Sequence, residues 1–459
     1  MRNCIILLIL TISCNFNIVA QNDSAEQKTP FEGMEINWIN GQNRQQEFPL
    51  TLKKGSEIVI TGFAYLDSYY NFNFAKPIDN TQTISATIGR HNEVTLNLAS
   101  IGFETSYNNI LARVFVQYGQ MLAIVQDQDA SVFRGRNTGI NNLKFIREAA
   151  AGYHFNKWKG INVEMGIFSS FIGLESYLTQ ENWNYQRSMV SDFTPFYFTG
   201  ARVQLFPTTK LKTELWILNG WQSYNSFSNS PGLGSSTLWR PNENLQLVAN
   251  FYTGKDTNNS DTLGNQSQRI RFHHDNCIVA RYYKKPKSTA ISQAAFCINS
   301  HYGFQSNNEA KDEVKSSENF MFGAAVSNRI WFNKNKLALT LRGDYLTNQS
   351  VENGNNKSPY MAFLPAEPGN KTNNYDVAIA NNEKLKLFQF TSTFDVMPND
   401  NLTFRFEYCY RSSSIPYFLG SGGTTSPSAW INGPSTINPW SADLKKDENR
   451  ITISVNFRM

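Results

Sequence analysis

Apolar and polar residues alternate along most of the chain beyond residue 57. In the segment 401–412, one set of alternate positions holds Leu402, Phe404, Phe406, Tyr408 and Tyr410. The other set holds Thr403, Arg405, Glu407, Cys409 and Arg411. The segments 336–347 and 449–458 show the same pattern. Because a period of two places neighbouring residues on opposite faces of a strand, this pattern predicts β-strands with one apolar and one polar face.

The alternation predicts about sixteen strands, and an apolar face of four or five residues fits a membrane-crossing strand of about 9–11 residues. The predicted strands cover 57–73, 90–104, 110–120, 144–156, 158–168, 195–206, 210–221, 236–241, 244–254, 269–284, 288–304, 318–332, 336–347, 384–396, 401–412 and 449–458.

The connections between these strands alternate strictly between long and short, which a Greek-key sandwich would not do. The long connections are 74–89, 121–143, 169–194, 222–235, 255–268, 305–317, 348–383 and 413–448. Long extracellular loops and short periplasmic turns are typical of outer-membrane barrels. We therefore predict an all-β fold, a transmembrane up-and-down antiparallel β-barrel at 57–459, with both termini in the periplasm.

The first residues are typical of a secretion signal. Arg2 precedes a short apolar run at 5–12, and a plausible cleavage site ends at Ala20. We predict a signal peptide at 1–20 and a periplasmic segment at 21–56 whose Trp38–Gly41 patch tucks under the barrel. Cys14 leaves a lipoprotein signal as an alternative.

Composition agrees with a barrel that is apolar outside and polar inside. Aromatic residues make up 14% of the 459 residues and charged residues 17%, yet the mean hydropathy is −0.42. The net charge of +5 is spread along the chain, and we predict no nucleic-acid partner. The chain lacks a run of about 20 apolar residues, as a transmembrane helix would require.

The connection at 169–194 is unusually rich in aromatic, amide and charged residues. Such a segment needs surrounding walls, which favours a loop folded into the barrel over an external cap packed on neighbouring loops. We predict that it narrows the pore. Its candidate constriction charges are Glu175, Glu181, Arg187 and Asp192.

Charged residues on the polar faces of the strands are candidates for lining the lumen. They are Arg113, Glu164, Arg202, Lys212, Glu214, Arg342, Asp344, Arg405, Glu407 and Arg411. Rings of charge set the selectivity of pores, and the small excess of basic residues predicts at most a weak anion preference. Each residue could instead form a salt bridge inside the lumen without affecting selectivity.

The sequence carries no recognisable catalytic, nucleotide-binding or zinc motif, so we predict neither an enzyme nor a cofactor or metal site. His273 and His274 point to opposite faces of a strand and cannot bind one metal ion. His273 and Asp275 share a face, but two residues make a poor metal site. Cys277 and Cys297 could form a cross-strand disulfide or remain buried free thiols.

The mature chain resembles the OmpL-like β-barrel porin family of Bacteroidetes outer membranes over nearly its whole length. The segments that carry the resemblance are 38–45, 77–80, 90–93, 146–153, 173–176, 182–185, 218–222, Pro416–Phe418 and Gly422–Gly423. The resemblance implies an outer-membrane barrel with a pore, embedded in lipid, and a homotrimer is an expectation drawn from sixteen-stranded porins alone. It implies no particular solute and no individual functional residue.

We therefore expect passive diffusion of small hydrophilic solutes through a pore narrowed by the loop at 169–194. One alternative is a non-conducting barrel that anchors an envelope complex through its loops at 348–383 and 413–448. Another is a barrel enzyme, for which the sequence offers no catalytic set.

Overall fold

In the part of the chain that the computed structural model describes, sixteen long strands form the wall of a barrel and a short strand precedes them. The described residues are 30–459 except 56–57, 83–84, 127–128, 130, 132–139, 227, 229, 261–265, 308–314, 318, 351–384, 415 and 424–444. The strands are β1 (Thr51–Lys54), β2 (Ile58–Asn73), β3 (Val94–Tyr107), β4 (Ile110–Tyr118), β5 (Ile146–Phe155), β6 (Ile161–Ser169), β7 (Tyr197–Thr208), β8 (Leu211–Leu218), β9 (Gly232–Asn242), β10 (Leu245–Ser260), β11 (Gln266–Lys284), β12 (Ile291–Ser306), β13 (Asn319–Phe332), β14 (Leu337–Ser350), β15 (Leu385–Val396), β16 (Leu402–Ser413) and β17 (Asp447–Arg458).

The barrel closes because its last strand pairs with its first long strand. Strand β17 runs antiparallel to β2, with Ile451 opposite Phe72 and Phe457 opposite Leu66. Each strand from β2 to β16 also pairs antiparallel with the strand that follows it in sequence. The predicted up-and-down barrel of about sixteen strands is therefore confirmed, and closure leaves its long strands without a free edge.

The two faces of each strand differ as the alternation predicts. On β16, the Phe406 side chain is 47% exposed on the outside, whereas the neighbouring Arg405 is 1% exposed on the inside. Strand β17 repeats this arrangement, with Ile451 and Ile453 outside and Arg450 and Thr452 inside. The barrel thus turns apolar side chains outward and polar side chains inward.

Most strand boundaries differ from the prediction by a few residues, and β10 extends to Ser260 rather than ending at residue 254. Strand β3 begins at Val94 rather than residue 90, because residues 91–93 form a bend in which Asn92 has a φ of +57°. Strand β9 begins at Gly232 rather than residue 236, since a run of glycine and serine there conceals the alternation.

The long connections also contain short helices, which strand periodicity does not predict. Helices α1 (Gln120–Val125) and α2 (Ile140–Leu143) lie between β4 and β5, and α3 (Met189–Asp192) lies between β6 and β7. Helix α1 buries Met121, Leu122 and Val125 inside the barrel wall. Among the described residues, no helix has both the length and the apolar character needed to cross a membrane.

Residues 30–50 lie across the end of the barrel that carries the short turns. Phe31 donates its amide hydrogen to the carbonyl of Thr209, between β7 and β8. On the far side, the Arg44 guanidinium bonds Thr403 at the start of β16. The segment therefore spans this end from one wall to the opposite wall.

Cys277 and Cys297 are free, buried thiols. The register places Cys277 opposite Asn299 and Cys297 opposite Val279, so the two cysteines are offset along their strands. The cross-strand disulfide considered from the sequence is therefore not formed. The predicted signal peptide at 1–20 and most of the loops at 348–383 and 413–448 lie outside the described residues.

Candidate functional site in the barrel interior

The connection between β6 and β7 runs through the inside of the barrel. Its residues from Leu174 to Phe196 are almost all buried, and they include a short 3-10 turn at Thr179–Glu181 and helix α3. Its polar groups contact strands from several parts of the wall, including β2, β14 and β16. We call residues 170–196 the inner loop.

One side of the barrel binds the inner loop through buried charges, and we call the interior faces of β14, β15, β16, β17 and β2 the anchoring wall. Arg342 of β14 donates hydrogen bonds to the carbonyls of Gln186 and Arg187, at 2.8 and 3.0 Å. It also pairs with the carboxylates of Glu175, at 3.1 Å, and Asp344, at 2.9 Å. A single guanidinium thus joins two parts of the loop to one strand.

Strand β16 binds the loop with both signs of charge. The Glu407 carboxylate accepts hydrogen bonds from the backbone amides of Tyr185, at 2.7 Å, and Gln186, at 2.9 Å. Arg405, two residues before Glu407 on the same face of the strand, donates to the carbonyls of Thr179, at 2.8 Å, and Asn182, at 2.6 Å. Charge-assisted hydrogen bonds of this kind are stronger than neutral ones, so β16 fixes the loop backbone itself.

Asp67 of β2 completes the anchoring wall. Its carboxylate accepts hydrogen bonds from the hydroxyls of Tyr185, at 3.0 Å, and Thr179, at 2.9 Å. The side-chain amides of Asn97 and Asn456, on the two neighbouring strands, donate to it as well. Four donors therefore surround a carboxylate that is completely buried.

The opposite side of the barrel faces a cavity of about 230 Å³, and we call the interior faces of β6 to β10 the cavity wall. The wall contributes Arg202, Lys212, Glu214, Trp216, Ser236 and Gln246 to the lining, and the inner loop contributes Gly173, Glu175, Tyr177 and Arg187. The two lining cations of this wall pair with acidic residues of the same wall. Arg202 pairs with Glu164 at 2.7 Å, and Lys212 pairs with Glu214 at 2.8 Å.

The amino-terminal segment closes one end of this interior against the inner loop. The Trp183 amide and indole groups donate to Asn40 Oδ1, at 2.8 Å, and to the Trp38 carbonyl, at 3.0 Å. Gly41 has a φ of +74°, and a side chain there would overlap the carbonyl oxygen of Leu174. The close approach of the two backbones therefore requires glycine at this position.

Comparison with known families identifies the architecture. The model of the family described as "Putative beta-barrel porin-2, OmpL-like" matches residues 59–456. The chain belongs to this family. It is an outer-membrane β-barrel porin, as the resemblance noted in the sequence implies.

Solved structures of other channel proteins are similar to this porin. An anion-selective porin from Comamonas acidovorans has a TM-score of 0.51 and 8% identity, covering 88% of this chain and 100% of its own. The outer-membrane channel DcaP of Acinetobacter baumannii has a TM-score of 0.48 and 12% identity, covering 89% and 99%. No curated protein matches the sequence of this porin significantly.

The four charges predicted for the constriction occupy three different places. Glu175 and Arg187 line the cavity together. Asp192 lies in α3, buried, and accepts a hydrogen bond from Gln186. Glu181 lies toward the short-turn end, where it pairs with Arg458.

The ten residues predicted to line the lumen all lie on the interior faces of their strands, and nine of them belong to the two walls, whereas Arg113 lies on β4 beside the cavity wall. Arg113, Glu164, Arg202, Lys212 and Glu214 form a chain of ion pairs across β4, β6, β7 and β8. Arg342, Asp344, Arg405, Glu407 and Arg411 lie on the β14 to β16 side and are almost fully buried. Four of these five bond the inner loop directly, whereas Arg411 pairs with Glu448.

Other residues of the anchoring wall were not singled out from the sequence. Arg329 and Asp395 pair at 2.7 Å, and Arg329 also donates to the Trp183 carbonyl. Both residues occupy polar positions of alternating strands, so the same pattern could have identified them. The sequence predicts that the Trp38–Gly41 patch lies under the barrel but not that Trp38 contacts the inner loop, because periodicity gives no signal for an irregular segment.

Burial changes the acidity of groups in the inner loop. It raises the pKa of Asp192 to about 6, although the nearby positive charge of Arg187 opposes this shift. Burial also lowers the pKa of Arg187, against the effect of Asp192 and Glu175. The guanidinium of Arg187 lies over the Phe196 ring, 4.2 Å from its centroid, which gives the buried charge a favourable cation–π contact.

Proposed function

We propose that this porin lets small hydrophilic solutes diffuse passively across the outer membrane, along the cavity between the inner loop and the cavity wall. The observation that carries the proposal is the cavity of about 230 Å³, lined by charged side chains, on one side of the loop. The other side of the loop is filled by its bonds to the anchoring wall. A solute would therefore pass on the cavity side.

In this proposal the inner loop forms the constriction, with Glu175 and Arg187 facing Arg202, Lys212 and Glu214. Three cations and two anions line this passage, so we expect a weak preference for anions. Glu181 and Asp192 would hold the loop in place instead of contacting the solute.

Further parts of the proposal concern assembly. We propose that residues 1–20 are cleaved as a signal peptide, that the outward apolar side chains contact outer-membrane lipid, and that three copies associate as in other sixteen-stranded porins. Cross-linking and mass measurement of the native protein extracted in mild detergent would test cleavage and trimer formation together.

Single-channel recording in a planar bilayer, with a salt gradient across the membrane, tests the function. We expect steady openings and a reversal potential slightly on the anion side. A barrel that is folded, as shown by its heat-modifiable mobility on gels, and never conducts would overturn the proposal.

One observation favours a second candidate, a non-conducting barrel that anchors an envelope complex. Residues 30–50 cross the short-turn end, and the inner loop fills much of the interior. Deletion of residues 30–50 separates the two functions, because a channel should then conduct more, whereas a scaffold should remain closed and retain co-purifying proteins.

A further inference from the structure

Two histidines and an aspartate lie together on the inner face of β11 and β12. Asp275 of β11 lies directly opposite His301 of β12, and His273 lies two residues before Asp275 on the same face. One ligand atom from each residue can be chosen so that all three lie within 4.8 Å of one another. The three side chains are at most 1% exposed. The sequence alone indicated only His273 and Asp275, because strand register is needed to bring in His301.

The geometry of the two imidazoles is close to that of a metal site. His273 Nε2 lies 3.0 Å from His301 Nδ1. Two nitrogen ligands of a tetrahedral zinc ion, each at about 2.0–2.1 Å, are separated by roughly 3.3 Å. A metal ion could therefore take the place of the proton that lies between the two nitrogens. That proton would move to the other nitrogen of the ring that carries it, and the two rings would need to separate only slightly.

A second observation also points to a ligand at this position. His301 Nε2 is buried and has no hydrogen-bond partner among the described residues. A buried polar atom without a partner is costly in a folded protein. Binding of a metal ion at His301 Nδ1 would leave the ring proton on Nε2, which points away from the ion, and a water molecule in the adjacent space would accept that hydrogen.

The inner loop covers this cluster on the side of the barrel interior. The Gly173 amide donates to Asp275 Oδ1 at 3.1 Å, and Asn250 donates to Asp275 Oδ2 at 2.8 Å. Gly173 has a φ of +80°, and a Cβ there would lie 3.4 Å from His301 Cε1, so the loop backbone passes directly over the imidazole. Gly173 also lines the cavity, which gives an ion a route from solvent.

We propose that His273, Asp275 and His301 bind a divalent transition-metal ion of the zinc class, and that the bound ion fixes the Gly173 end of the inner loop to the barrel wall. Two imidazoles and one carboxylate are a ligand set that zinc uses when a fourth position is left for water. Asn250 and the Gly173 amide would orient the carboxylate as outer partners. Arg271 acts electrostatically on His273 and Arg187 on His301, and these positive charges would weaken the binding of a cation.

The test uses the full-length protein without a histidine tag, folded in detergent and stripped with a chelator. Titration calorimetry with zinc chloride should show one equivalent bound per chain, and cobalt chloride should give the visible absorption of a four- or five-coordinate ion. We expect His301→Gln and Asp275→Asn each to weaken binding at least tenfold.

His274→Gln is the matched control, because His274 is the next residue on β11 but faces away from the lumen and contacts Asn276. It should bind zinc as the unmodified protein does. Heat-modifiable mobility shows that each variant is folded. Equal binding by His301→Gln and the unmodified protein, or equal loss in His274→Gln, would overturn the site.

Hydrogen exchange of the inner loop tests the second half of the proposal. Zinc should slow exchange in the peptide around Gly173 in the unmodified protein and leave it unchanged in Asp275→Asn. Stoichiometric binding without any change in that peptide would show that the ion does not hold the loop. Neither readout depends on conductance, so the result stands apart from the test of the porin function.

Discussion

The two walls of the barrel interior carry the same kinds of residue and use them differently. On the anchoring wall, Arg342, Arg405 and Glu407 direct their charges at the backbone of the inner loop and are almost completely buried. On the cavity wall, Arg202 pairs with Glu164 of the neighbouring strand β6, Lys212 pairs with Glu214 of its own strand, and both cations remain partly accessible. An interior charge is therefore structural where the loop covers it, and available to a solute where the loop leaves a gap.

This difference concentrates the charged attachment of the loop on the anchoring wall, although the Gly173 amide also bonds Asp275 of β11. A guanidinium that bonds main-chain carbonyls fixes the path of the backbone whatever the loop side chains are. On the cavity side, the loop contacts the wall largely through aromatic stacking, with Phe171 against Trp216 at 4.9 Å and against Phe198 at 5.1 Å. We infer that the anchoring wall sets the width of the passage and the cavity wall sets its charge.

The largest effect is expected from Arg342→Gln. The change leaves Glu175 and Asp344 buried with less compensating charge and removes two bonds to loop carbonyls. Breaking a buried ion pair from one side costs about 3–5 kcal/mol. Urea unfolding, monitored by tryptophan fluorescence, should show this loss of stability. Single-channel conductance should rise because the loop is released.

Arg202→Gln on the cavity wall is the matched control. Its acidic partners keep other cations, since Glu164 also pairs with Arg113 and Glu214 also pairs with Lys212. The loss of stability should therefore be clearly smaller than for Arg342→Gln. If both variants lose the same stability and conduct alike, the distinction between the walls is wrong.

The sequence predicts which charged residues face the barrel interior, but not which of them bind the inner loop and which line the cavity. Alternation places Arg202 and Arg342 on interior faces equally well, because it depends only on each strand. Which of them meets the loop depends on contacts between residues far apart in sequence, such as Arg342 with Gln186. The same limit explains why His301 was not joined to Asp275, and why the packing of Trp38 on Trp183 was not predicted in detail.

The contribution of Asp192 to the free energy of unfolding should depend on pH. Because burial raises its pKa to about 6, from 3.8 for an exposed aspartate, the folded protein keeps this proton more tightly than the unfolded chain. The stabilisation is complete below about pH 4 and is lost as pH rises through 6, by up to about 3 kcal/mol. Asp192→Asn should therefore show a flatter dependence of unfolding free energy between pH 4 and 7.

Ion selectivity should distinguish Asp192 from Glu175, because Glu175 lines the cavity and Asp192 does not. Asp192→Asn should leave the reversal potential unchanged. Glu175→Gln should move it toward anions. A shift in Asp192→Asn equal to that in Glu175→Gln would show that solutes also pass α3 and would contradict the assigned route.

A smaller loss is expected from Glu407→Gln. The carboxylate accepts bonds from the amides of Tyr185 and Gln186 and from the Thr393 hydroxyl, whereas a glutamine places an NH₂ group against one of these donors. An unsatisfied buried donor costs about 1–3 kcal/mol. Glu104→Gln, at an exposed position of β3, should leave the urea midpoint in place. Equal midpoints for the two variants would show that Glu407 does not anchor the loop.

The smallest effect on stability is expected from Lys212→Gln, on the cavity wall. The side chain is 23% exposed and its partner Glu214 keeps the hydrogen bond from Gln204, so the loss should stay below about 1 kcal/mol. Selectivity should nevertheless change, because one of three cations in the passage is removed, and the reversal potential in a salt gradient should move toward cations. Lys210→Gln, at the exposed turn before β8, removes the same charge outside the cavity and should leave the potential in place. A change in selectivity without a change in stability for Lys212→Gln would assign charge selection to the cavity wall. A large loss of stability for Arg342→Gln would assign attachment of the loop to the anchoring wall.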